Sequence, residues 1–132
     1  GLAERLLPDW GRRDFRRRFL YSHTAQAFQD FPFSWPFTFQ ALDRRFPGSK
    51  FVLTVRDSPE QWYSSLTRFY AVMFGHGRLP TLNDLRAAGY GYPGLAYEAN
   101  RMLYDTPESD TFNNERLIAH YTAHSPIVAA AR

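Results

Sequence analysis

The sequence predicts an α/β fold, part of a three-layer domain in which a short parallel sheet is flanked by helices. Three observations predict it. Phe51–Val55 is a short, apolar, β-rich run of the kind that forms a strand buried on both faces. Before it, Trp35, Phe39, Leu42 and Phe46 fall at i, i+4, i+7 and i+11, one face of a helix that Pro47-Gly48 stops. After it, Ser58-Pro59-Glu60-Gln61 carries a capping signal: a hydroxyl at the N-cap, Pro at the first helical position and Gln three residues after the Ser. Helix, strand, tight turn and helix in succession are the pattern of a parallel-sheet unit.

The remaining elements are read in chain order. Arg12, Arg13, Arg16, Arg17 and Arg18 surround Asp14, and the Asp14–Arg18 spacing of i,i+4 suits a solvated helix face. Ala25–Gln29 reads as a second strand, followed by a loop punctuated by Pro32 and Pro36. The helix that Ser58 opens carries Trp62, Leu66, Phe69 and Met73 on one apolar face. From Gly75 to Gly94 the chain is rich in Gly, Pro and Asn and reads as a long surface excursion, with a short helical stretch at Leu82–Ala88. Tyr90, Tyr92 and Tyr97 either pack this excursion against the body or line a pocket. Tyr97–Tyr104 reads as a short helix. Asn113 and Asn114 are caps for a last helix, which Pro126 is expected to kink or interrupt.

Composition bounds the function. The 132 residues fit one domain, and 44% hydrophobic with 17% aromatic content argues for a packed core rather than disorder. The net charge of +3, from 16 basic and 13 acidic residues, suits an anionic ligand but lacks the clustered bias that nucleic acid demands. With no cysteine there is neither a disulfide scaffold nor a zinc–thiolate site. His120 and His124 share a helix face, but no third ligand is evident, so no metal is expected. No apolar run approaches the roughly 20 residues of a membrane span, and no signal peptide is visible. A cytoplasmic location without membrane contact is the expectation.

Chemistry concentrates where the apolar run ends. In open parallel sheets, ligands bind beyond the carboxyl ends of the strands, where Arg56 stands. The following helix presents its partially positive N-terminus there, and a guanidinium fork beside it suits phosphate or sulfate. Ser64, eight residues on, falls opposite the Trp62/Leu66/Phe69 face. The same residues also fit a plainer account, with Arg56 paired to Asp57 or another acid and Ser64 merely solvated.

The segment Phe46-Pro47-Gly48-Ser49-Lys50-Phe51-Val52-Leu53-Thr54-Val55-Arg56-Asp57, with Trp62-Tyr63-Ser64-Ser65 after it, resembles the P-loop-like sulfotransferase family. The resemblance spans about Ala27 to Tyr70, with a weaker match at Tyr121 and His124, a Tyr-x-x-His pattern of one bacterial-type branch. It implies a P-loop-like α/β fold and a donor co-substrate, 3′-phosphoadenosine 5′-phosphosulfate (PAPS). In that family a strand-terminal Arg and a Ser eight residues later grip the cofactor's 3′-phosphate, roles that pass here to Arg56 and Ser64. Where many members have His-x-Pro with a general-base His, this chain has Asp30-Phe31-Pro32, which makes Asp30 the candidate base. An ordinary Asp is a weak base, with a pKa near ~3.9, unless burial raises it. Asp30 could equally cap a turn before Pro32. The acceptor implied is a hydroxyl or amine of a small molecule or carbohydrate.

The departure from the family is the phosphate-binding loop. No Gly-x-x-x-x-Gly-Lys-[Ser/Thr] stretch occurs, and the only lysine is Lys50. The chain, which starts at Gly1 and stops within a helix, therefore reads as a partial domain truncated at both ends, and these 132 residues alone are expected not to turn over PAPS. Two other functions fit the residues: another P-loop-fold transferase, such as a small-molecule kinase, and a non-catalytic α/β module whose arginines bind acidic partners.

Overall fold

The computed structural model describes residues 2–29 and 33–130. They form α1 (Leu2–Gly11), α2 (Arg16–Tyr21), α3 (Thr38–Arg45), α4 (Pro59–Phe74), α5 (Leu82–Ala87), α6 (Leu95–Leu103) and α7 (Asn114–Ala130), with a 3-10 turn at Glu108–Asp110. The chain divides into two compact units, Gly1–Val52 and Leu53–Ala130.

The expected fold class is overturned: the described residues contain helices and loops but no strand, so there is no parallel sheet and no three-layer α/β arrangement. A strand exists only through the ladder it makes with a neighbour. Residues 25–29 and 51–55, the two stretches with strand-like composition, enter no ladder. Without one, the apolar run that was to be buried on both faces stands in solvent, with Val52 92% and Val55 60% exposed.

In the first unit, α1, α3 and the residues just ahead of α3 supply a small core of Leu6, Leu7, Trp10, Trp35, Phe39 and Leu42. Trp10 meets Trp35 edge-on at 5.0 Å, and its indole N–H donates to the Pro36 carbonyl at 2.8 Å. Phe39 and Leu42 are buried on α3 as their spacing predicts, but Trp35 is buried ahead of the helix rather than on it, and Phe46 sits at the C-cap as an edge partner for Phe19 and His23. Phe37 opens α3 in the left-handed region, φ 67°, unusual for a residue with a Cβ. The Arg13 guanidinium lies over both its ring (4.1 Å) and that of Trp10 (4.4 Å), which holds it there.

Arg12, Arg13, Arg16 and Arg17 are exposed, as a solvated face requires, but Arg18 departs from it. Asp14 precedes α2 and pairs with Arg16 at 2.6 Å, which keeps its carboxyl well below the usual range. Arg18 is fully buried, with one Nη–H donated to the Leu6 carbonyl at 2.8 Å and its Nε and other Nη without partners. Burial pulls this guanidinium down to about 10. Buried Asp9 takes two more of the arginines, Arg12 at 2.7 Å and Arg17 at 2.9 Å.

In the second unit, α4 packs on α7 and α5 on α6, around Tyr70, Leu85, Ala96, Tyr104, Phe112 and Leu117. The face α4 buries is rotated from the one expected. Trp62, Tyr63, Leu66, Tyr70 and Phe74 turn inward, whereas Phe69 and Met73 are about half exposed. Tyr70 and Tyr63 shift the stripe because each finds an inward partner. Tyr70 meets Phe112 edge-on, and the Tyr63 hydroxyl donates to the Phe112 carbonyl at 2.7 Å. α5 and α6 lie within two residues of the stretches predicted for them, and Thr81 with Asp84 closes a capping box on α5. Asn113 caps α7, its side-chain oxygen accepting from the Arg116 N–H. α7 then runs through Pro126 without the expected interruption. The tyrosines of the excursion pack it: Tyr92 donates to Glu98, Tyr97 lies under Arg86, and Tyr90 edges Phe74.

Candidate functional site

The site is built on the first two turns of α4 and the residues leading into them. Ser58 is extended (φ −148°, ψ 158°), and its hydroxyl accepts from the Gln61 N–H at 3.1 Å, while Pro59 occupies the first helical position. The other half of the cap is displaced by one residue: the Gln61 side-chain oxygen accepts from the Asp57 N–H at 2.9 Å rather than from Ser58. The chain entering α4 is thereby fixed through Asp57.

One residue earlier, Arg56 is held at both ends. Its backbone N–H donates to the Tyr121 hydroxyl at 3.0 Å, across 65 residues of sequence. Its guanidinium donates to the Ser65 hydroxyl at 3.1 Å. No carboxylate pairs with Arg56 among the described residues, so the alternative in which Asp57 or another acid neutralises it is not what forms. An exposed guanidinium with a hydroxyl partner and a helix N-terminus beside it keeps its charge available to an anion.

Ser64 is exposed on α4 and makes no hydrogen bond to Arg56; the hydroxyl beside the guanidinium belongs to its neighbour, Ser65. Ser64 lines an open pocket of about 400 Å³ with Tyr63, Thr67, Arg68 and Leu79. Arg68, one helical turn beyond Ser64, adds a second guanidinium to this face that the sequence reading did not single out. Asp30, the candidate base, lies outside the described residues.

Tyr121 itself is anchored. Its ring stacks on Trp62 at 4.8 Å and 19°, Trp62 meets Tyr104 edge-on, and Tyr104 meets His120 edge-on at 4.9 Å. This aromatic column joins α7 to α4 directly beneath the Arg56 segment. Burial pushes the Tyr104 hydroxyl up and pulls His120 and His124 down. No group of three metal-ligating side chains gathers among the described residues, and no helix of theirs is long and apolar enough to cross a membrane.

A family model described as "Sulfotransferase domain" matches residues 5–131. The chain belongs to that family. The sulfotransferase assignment covers nearly its whole length, well beyond the Ala27–Tyr70 stretch that carries the resemblance in sequence, and it makes the chain part of a transferase family. Neither the curated proteins nor the solved structures include a match to it. Of the residues around this candidate site, Ser65 and Arg68 carry no motif signal of their own, and Tyr121 stands out in the sequence only for its place in a Tyr-x-x-His pattern. A hydroxyl next to Ser64 and a guanidinium four residues on were the only signals available.

Proposed function

We propose that this chain supplies the 3′-phosphate half of a PAPS site, with Arg56 and Ser64 as the gripping pair, in a sulfotransferase acting on a hydroxyl or amine of a small molecule or carbohydrate. The observation that carries the reading is the state of Arg56: exposed, at the start of a capped helix, and paired with a hydroxyl instead of a carboxylate. These residues fit a phosphate dianion. The guanidinium supplies the charge, the helix N-terminus reinforces it, and Ser64 offers a hydroxyl on the helix that follows.

PAPS, when bound, supplies the sulfuryl group. The protein's part is to orient it and to manage the acceptor proton. Asp30 takes that proton as the acceptor oxygen or nitrogen bonds to sulfur and the bond from sulfur to the phosphate oxygen breaks, releasing adenosine 3′,5′-bisphosphate.

The test is calorimetric titration of the intact protein with adenosine 3′,5′-bisphosphate. Arg56→Ala should weaken binding by about 2 kcal/mol, roughly thirtyfold, the range for a hydrogen bond to a charged group. Unchanged affinity in a folded variant would remove Arg56 from the site.

A further inference from the structure

We infer that Tyr121 and Ser65 are positioning residues for Arg56: a two-point clamp that sets where its guanidinium stands and so governs selectivity for a 3′-phosphate. The inference rests on the cofactor reading above and extends it to two residues that do not touch the ligand in that reading.

The segment bearing Arg56 has no secondary structure of its own to hold it, since residues 51–56 form neither helix nor ladder. A long, exposed arginine on such a segment would spread over many rotamers, and gripping a ligand would first require ordering them. Two contacts remove that freedom at different points. The Tyr121 hydroxyl accepts the Arg56 main-chain N–H at 3.0 Å, which fixes the backbone. The Ser65 hydroxyl accepts from Nη2 at 3.1 Å, which fixes the far end of the side chain. Both acceptors are neutral, so they orient the guanidinium without cancelling its charge, as a carboxylate would. Tyr121 can serve as a fixed post because its ring is stacked on Trp62, whose other neighbour is the buried Tyr104. Ser65 is fixed by being on α4 itself. The neighbouring main-chain tie, Asp57 N–H to the Gln61 side chain, continues the same anchoring into the helix.

The experiment compares two ligands on the intact protein: adenosine 3′,5′-bisphosphate and adenosine 5′-monophosphate, which lacks only the 3′-phosphate. The ratio of their dissociation constants reads the Arg56 site alone. Tyr121→Phe keeps the stack and removes only the hydroxyl, and Ser65→Ala removes only the other acceptor. Each should lower the ratio roughly three- to tenfold, the worth of one hydrogen bond, while leaving affinity for the monophosphate unchanged. A general loss of packing would weaken both ligands together and would count against the clamp. A wild-type ratio well above one that Arg56→Ala abolishes, but that neither Tyr121→Phe nor Ser65→Ala moves, overturns the clamp and leaves the cofactor reading standing. A wild-type ratio near one overturns both.

Discussion

Arg18 in the first unit and Arg56 in the second are the same side chain put to opposite uses. Arg18 is wholly buried with a single backbone carbonyl accepting from its guanidinium, and burial weakens its hold on its proton. Arg56 is exposed, tethered by hydroxyls at two points and paired with no acid. The first is a structural strut whose charge is a cost to the fold. The second is a charge kept available. Each stands near carboxylates in sequence, Arg18 four residues after Asp14 and Arg56 immediately before Asp57, and neither pairs with the one spacing suggested. Proximity along the chain says little about which guanidinium is free.

The contrast can be broken most forcefully at Arg18. Arg18→Ala removes the bond to the Leu6 carbonyl and opens a cavity where the side chain was, and should cost about 3 kcal/mol in urea unfolding followed by tryptophan emission. Arg18→Met keeps the stem volume and removes two donors that have no partner, so it should cost clearly less. Equal costs would mean that the guanidinium's single bond outweighs its desolvation.

A milder perturbation is pH, which acts on the second unit through α7. Burial holds His120 and His124 below the ordinary histidine value, so in the folded state they stay neutral where the unfolded chain is protonated. The unfolded state then binds more protons, and stability rises with pH. Full stability is present above about 6.5 and declines as pH falls through the folded values. Thermal unfolding from neutral to about pH 5 should show a falling midpoint, and His120→Phe, which keeps the ring edge on Tyr104, should flatten the slope.

The smallest effect is expected at Arg56 itself. Arg56→Ala should change unfolding free energy by less than about 0.5 kcal/mol, the usual range for an exposed position. A large loss would make Arg56 a second strut and erase the distinction from Arg18.

What the residues revealed beforehand follows the range of the interactions involved. Ser58-Pro59 announced the start of α4, and Phe39 and Leu42 announced the inner face of α3, because caps and helical periods are local. The strands failed because Phe51–Val55 has strand-like composition but no neighbour to pair with, and pairing is not a local property. The turned face of α4 depended on Phe112, 42 positions from Tyr70, and the Tyr121–Arg56 tie spans 65. The candidacy of Arg56 and Ser64 was legible through motif spacing. The contact with Ser65 in place of Ser64 was not, because it depends on which way a long side chain leaves an irregular segment.

The stack of Trp62 on Tyr121 also gives the second unit a built-in optical gauge. Of the three tryptophans, Trp10 and Trp35 face each other in the first unit, and Trp62 alone belongs to the second. With Trp10 and Trp35 replaced by phenylalanine, the remaining emission would come from an indole lying against the ring whose hydroxyl holds the Arg56 backbone. Ligand arrival at Arg56 could then be followed as a change in colour and brightness, in real time and without a label.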